Sequence, residues 1–205
     1  MFLSDLVPNI TLQIPGCVDD VAMKALVEGA RRFYRETTLW RDIRSYSLAA
    51  GADALRLRFP EETTVSAVRS VTFEGRHLER VDSVDYAQYE GSEAYSPEVF
   101  LPVTRDAVVR IGPASSRDQS NAYNVECVLV PTQDADELEV DNFAAEFEKA
   151  YEYAALASLY SMPLFLNATL SNLNEARYAD IATQATNKAQ GLTQGGVIVT
   201  GYGGL

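Results

Sequence analysis

The 205-residue chain holds one histidine, His77, and two cysteines, Cys17 and Cys127. A nucleophile–histidine–acid arrangement would have to use that single imidazole. His77 stands beside Arg76 in a segment that reads as a hairpin, and no Gly-x-Ser-x-Gly turn presents a nucleophile. A zinc site needs several Cys or His ligands at short spacing, and positions 17, 77 and 127 are scattered. No phosphate-binding glycine motif precedes a helix. Adjacent carboxylates such as Glu61-Glu62 read as solvated loop residues, and the acids around Asp134 lack calcium-loop spacing. An enzyme, a metal and a cofactor are therefore not expected. Long apolar runs are missing too: stretches such as residues 154–157 fall far short of the ~20 residues that a bilayer span needs. The opening Met1-Phe2-Leu3-Ser4-Asp5 has no basic stretch followed by an apolar one, so no signal peptide and a cytosolic site of synthesis are expected. In that compartment the two thiols are expected to stay reduced.

Basic residues are scarce. Lys and Arg number 17 against 29 Asp and Glu, a net charge of -12. Gripping nucleic acid through its phosphates needs clustered bases, so that function is not expected. Residues 1–50 balance, with six acids and six bases, whereas residues 51–140 carry seventeen acids and eight bases. An acidic middle could line a channel through which DNA slides, since like charge repels. Plain solubility is the simpler expectation from this observation alone.

What is present divides into four regions. The first is a helix beginning at Asp19 or Asp20 after Pro15-Gly16, with Ala22, Leu26, Gly29 and Phe33 on one face. Arg31, Arg32 and Arg35 stand near its end, expected at Thr37-Thr38. The second, residues 43–131, reads as strands: 55–59, 65–73, 99–101, 107–111 and 123–130, with 77–81 returning as a hairpin partner after a Glu74-Gly75-Arg76 turn. Residues 91–97 and 114–121 read as polar loops. The third region is a helix pair. Asp141 or Asn142 caps the first helix, which carries a stripe of Phe143, Phe147, Ala150 or Tyr151, Ala154 and Ser158 and breaks at Met162-Pro163. Asn167 or Ser171 caps the second, with Leu170, Leu173, Ile181 and Ala185 as its buried face and Gly191 as its stop. The fourth region, 191–205, is a tail without a charged side chain, glycine-rich at both ends and β-prone in the middle. A lone apolar strand on a flexible leash calls for an acceptor on another polypeptide. Val197, Ile198, Val199, Thr200, Tyr202 and Leu205 are the candidate binding residues.

The opening Ile14-Pro15-Gly16-Cys17-Val18-Asp19-Asp20, followed by Ala25-Leu26, Ala30, Phe33 and Trp40, resembles the start of head-to-tail adaptor proteins of tailed bacteriophages. The likeness continues through a β-rich middle reaching Val130-Pro131-Thr132. It then takes in an alanine-rich helix from Tyr151 to a Met162-Pro163 break, and a closing helix with Ala176-Arg177-Tyr178. It spans roughly residues 8–190. The resemblance implies an α+β fold: a helical bundle core (8–40 and 141–190) with an inserted antiparallel β-sheet element (43–131), together one adaptor domain over 1–190, and an extended tail. It implies no chemistry, rings of about twelve subunits beneath the portal protein, and a tail or stopper protein on the far side. DNA would pass through the channel without specific binding and no membrane would be involved. The protein would be made in the host cytoplasm and end in the virion neck, with its C-terminal segment docked on the portal. The alternatives are a tail-completion or stopper protein, a receptor- or sugar-binding tail module, and an unrecognised hydrolase.

Overall fold

A computed structural model describes residues 1–138 and 143–194. In chain order its elements are helices α1 (Val7–Gln13) and α2 (Asp19–Thr37), then strands β1 (Arg41–Leu48), β2 (Ala54–Arg56), β3 (Thr63–Phe73), β4 (Arg76–His77) and β5 (Glu79–Arg80). A short helix α3 (Ser83–Tyr86) precedes β6 (Glu93–Ala94), β7 (Val99–Val103), β8 (Val108–Gly112), β9 (Ala114–Ser115) and β10 (Gln119–Pro131). Helices α4 (Phe143–Glu146), α5 (Glu148–Ser161) and α6 (Ala168–Gln194) follow. The fold is α+β. It divides into two compact units: a helical unit of Met1–Trp40, Glu61–Thr64 and the chain from Val130 through α6, and a β unit of Arg41–Pro60 and Val65–Leu129. Among the described residues no helix is long and apolar enough to cross a membrane.

In the helical unit, α2 has the face its spacing predicts: Ala22, Leu26, Gly29 and Phe33 are all buried. Its start differs from expectation. Val18 is the N-cap, without a side-chain hydrogen bond, and Asp19 and Asp20 lie inside the first turn, where carboxylates suit the positive end of the helix. The helix ends at Thr38, whose left-handed backbone (φ 52°) turns the chain out. Helix α5 packs against α2 at close range. A Cβ on Gly29 would lie 2.9 Å from the Tyr151 carbonyl oxygen and 3.1 Å from Ala154 Cβ, so glycine is what lets the backbones approach.

Helix α5 corrects the expectation of a one-sided helix. It is buried nearly all round, through Ala150, Tyr151, Glu152, Ala154, Ala155, Leu156, Ala157, Leu159 and Tyr160, while Ser158 is exposed. A helix wrapped by neighbours has no amphipathic period to read. The expected single helix is also interrupted at Phe147, between α4 and α5. The expected caps Asp141 and Asn142 lie outside the described residues. Rings of Phe33, Tyr34, Phe147, Tyr151 and Trp40 form an aromatic core with centroids 5.2 to 5.9 Å apart, and the Tyr34 and Tyr151 hydroxyls share a 2.7 Å hydrogen bond. Glu152 is 2% exposed yet satisfied: it accepts from Asn9 Nδ2 at 2.7 Å and from Lys149 Nζ at 2.6 Å, tying α1 to α5.

Asn167 caps α6, its Oδ1 accepting from the Leu170 amide at 3.1 Å. The buried stripe is Asn174, Tyr178, Ala182, Ala185 and Ala189. Of the expected face only Ala185 is fully buried; Leu170 and Ile181 are half-buried and Leu173 is exposed. The small residues face inward because α6 packs on the alanine-rich α5, where a leucine would hold the helices apart. The helix also runs through Gly191 to Gln194, so residues 191–194 of the expected tail are helical.

In the β unit the strand orders are β1-β10-β3-β4 and β2-β8-β7-β5, with β6-β9 as a small third sheet. The β1–β10 and β7–β8 pairs are antiparallel, with Arg41↔Val128 to Tyr46↔Tyr123 in one sheet and Val99↔Gly112 to Val103↔Val108 in the other. Two short pairs, β5 with β7 and β6 with β9, are parallel. The expected hairpin forms only at its tip, through Thr72↔His77 and Phe73↔Arg76, across Glu74 and Gly75 with φ of 49° and 81°. Glu79 and Arg80 then pair with β7 instead. The two polar segments expected as loops contain β6, β9 and the start of β10.

Candidate functional site

The chemically reactive side chains do not converge. His77 is exposed on β4. Cys17 is buried, and burial followed by the nearby Asp19 pushes its thiol up. The Cys127 thiol is pushed up to about 12, first by burial and then by Asp42 and Glu126. Thiols held this way are neutral and poor nucleophiles. Among the described residues no group of three or more His, Cys, Asp or Glu side chains could hold a metal ion. Glu61 and Glu62 are exposed turn residues, as expected, and Glu62 Oε2 in addition accepts from the amides of Asp136 and Glu137 at 3.1 and 3.0 Å.

A polar cluster joins α2 to α6. Arg32 donates through Nε to Glu36 Oε1 at 2.9 Å and through Nη1 to Glu175 Oε2 at 2.8 Å, while Nη2 bonds the other Glu175 oxygen. Its guanidinium lies 4.3 Å over the Tyr178 ring, and Tyr178 Oη donates to Glu36 Oε2 at 2.6 Å. The hydrogen bond from Arg32 holds the Glu175 carboxyl below its ordinary value. Burial, then Glu36, pushes the Tyr178 phenol above its own. The groove beside this cluster, about 310 Å³, is walled by Ala179, Ala182, Thr183 and Thr186 of α6. The four side chains satisfy one another, and the arrangement acts as a clamp between helices.

The feature without an internal explanation is the turn between α5 and α6. Pro163 stops α5. The turn is well formed: the Met162 amide donates to the Leu159 carbonyl at 3.0 Å, Phe165 to Met162 at 3.1 Å, and Asn167 to Tyr160 at 2.9 Å. Tyr160 Oη donates to the Gln13 carbonyl at 2.9 Å, which brings the end of α1 alongside. Residues 162–166 read Met-Pro-Leu-Phe-Leu, and Leu164 is 81% and Leu166 68% exposed; Leu12 on α1 is 81% exposed. Fully burying one leucine is worth about 1.5–3 kcal/mol, so presenting three of them to water is a standing drive toward association. The surroundings suit an apolar contact, since residues 6–18 and 153–174 contain no charged side chain.

Sequence reasoning took Met162-Pro163 only as a helix break. The signal was there: five successive apolar residues in a connection, inside 22 residues without charge. The predicted binding residues Val197, Ile198, Val199, Thr200, Tyr202 and Leu205 lie outside the described residues.

The charge reading is also revised. The helical unit carries 17 acidic and 7 basic residues, the β unit 12 and 10. Glu61, Glu62, Asp134, Asp136 and Glu137, counted with the middle of the chain, belong to the helical unit. The chain matches no protein-family profile and no curated protein sequence.

Proposed function

We propose that this chain is a non-enzymatic structural protein of a tailed-phage virion, a head-to-tail adaptor that assembles as a ring beneath the portal. In this reading α1, α2, α5 and α6 form the helical bundle core, the β-rich segment is an insertion, and residues 195–205 are the extended tail. The ring, of about twelve subunits in head-to-tail contact, extends the DNA channel without reading sequence. The tail segment 197–205 docks on the portal protein, and a tail or stopper protein meets the ring on its other side.

The observation that carries the reading is the exposed apolar turn at residues 162–166. It stands at one end of a 27-residue helix whose other end leads into an uncharged, β-prone segment. A helix of that length rises ~40 Å, so its two ends stand well apart, as a part joining two others requires. Modest contacts suffice, because a ring repeats each of them and the binding becomes multivalent. Acid excess over the helical unit suits a wall along which DNA must slide.

The test is binding of the purified chain to purified portal rings, with and without residues 195–205, a deletion that leaves α6 complete. The deleted chain should keep its circular dichroism and melting temperature and lose portal binding. A deleted chain that binds as the full chain does would remove the tail from the mechanism.

A further inference from the structure

Three stretches of the chain carry no Asp, Glu, Lys or Arg: residues 6–18, 153–174 and 189–205. The first two are joined where Tyr160 bonds Gln13; Leu12 is exposed on the first, and Leu164 and Leu166 on the second. The third holds Val197, Ile198, Val199 and Tyr202. Copies of a molecule with net charge -12 repel one another, so contact between them is favoured only where uncharged surfaces meet.

Reach decides which copy supplies the cover. The turn precedes α6, whose 27 residues rise ~40 Å. Val199 follows Gln194 by five residues, at most ~18 Å of extended chain. Residues 197–199 therefore cannot lie on the turn of their own copy, whereas those of a second copy can. The acceptor is a helix-to-helix turn, so the recognition is insertion of apolar side chains rather than strand addition.

We propose that, in the protein free of other partners, residues 197–202 of one copy dock on the Leu12–Leu164–Leu166 surface of a second copy. The contact covers both the exposed leucines and a β-prone segment that would otherwise pair unselectively. It rests on the tail being an element that docks on another polypeptide, and it makes the neighbouring copy and the portal competitors for that segment.

The test is sedimentation velocity of the full chain over a concentration series, with Leu164→Asp/Leu166→Asp and Val197→Asp/Val199→Asp variants and a milder Leu164→Ser variant, each checked for native circular dichroism. The parent should self-associate, and each aspartate variant should weaken the association about tenfold or more. Mixed one to one, the two aspartate variants should form a heterodimer, because each retains the half that the other lacks. Three results would overturn the proposal: a parent that stays monomeric, a tail variant that associates like the parent (the mark of turn-on-turn pairing), and mixed variants that fail to complement. Binding of neutral phosphatidylcholine vesicles through the turn, with the tail dispensable, would also overturn it in favour of a lipid surface. A turn variant should still bind portal rings, so loss of the portal reading and loss of this contact give different results.

Discussion

The β unit carries 12 acidic residues against 10 basic, and the helical unit 17 against 7. In the β unit Arg44 pairs with Asp42, Arg110 with Glu90 and Arg117 with Glu74, and Glu126 stands between Arg41 and Arg69. Its exposed large apolar residues are Val84 and Tyr95, the latter covered on one face by Arg117 at 4.1 Å. The helical unit exposes Phe2, Leu12, Val18, Met162, Leu164, Leu166 and Leu173. One unit nearly balances its charges and exposes few large apolar side chains. The other leaves both in excess, and an excess of both kinds marks a surface that other molecules complete.

The strongest way to break this comparison is to damage one unit at a time. Tyr151→Ala opens the aromatic core of the helical unit and leaves the Tyr34 hydroxyl without its partner; Phe73→Ala removes the ring packed at a tilt 5.0 Å from Tyr123 in the β unit. Each should cost about 3–5 kcal/mol. The chain provides its own reporters: Trp40, its single tryptophan, lies against Tyr34 in the helical unit, and each unit holds one buried cysteine. Tyr151→Ala should change Trp40 fluorescence and speed alkylation of Cys17 most, and Phe73→Ala should speed alkylation of Cys127 most. Equal acceleration of both thiols by either substitution would erase the distinction between the units.

A smaller effect sharpens the account of the helical unit. Gly29→Val forces a side chain against the Tyr151 carbonyl and Ala154, and should lower stability by about 1–3 kcal/mol in denaturant unfolding. Unchanged stability would mean that α2 and α5 separate without loss.

The smallest effect concerns the clamp. Arg32 holds the Glu175 carboxyl below its ordinary value. A carboxylate with a lowered folded value contributes stability that is complete above the unfolded value, ~4.3, and is lost as pH falls through the folded one. Glu175→Gln should therefore flatten part of the decline in stability on the acid side. Arg32 and Glu175 are 38% and 45% exposed, so solvent screening keeps the difference below about 1 kcal/mol. It should shrink further in 1 M salt. A parent and variant with identical acid limbs would show that the pair contributes nothing.

How far these features were legible in the sequence varied with their physics. Helix α2 was readable because one face is buried and the other wet, so Ala22, Leu26, Gly29 and Phe33 recur with the helical period. Helix α5 has no wet face, and periodicity says nothing about it. Of the face expected for α6, Leu170, Leu173, Ile181 and Ala185, only Ala185 is fully buried, because alanine and Tyr178 allow close packing and Leu173 faces water. The β6–β9 and β5–β7 pairs join segments distant in sequence, and two-residue strands carry no alternation to detect. The acid excess was placed in the middle of the chain because a linear count cannot know that Glu61, Glu62 and Asp136 fold with the helices. The apolar turn is five successive apolar letters at residues 162–166, but Met162-Pro163 by itself reads as a helix stop.

The central claim is that this chain joins a portal to a tail through a ring, and electron cryomicroscopy of the purified chain mixed with portal rings tests it most directly. The account predicts a closed ring of this chain seated on the portal, with density for residues 197–205 lying against the portal protein. Portal rings that remain bare at saturating concentrations of the chain would contradict it.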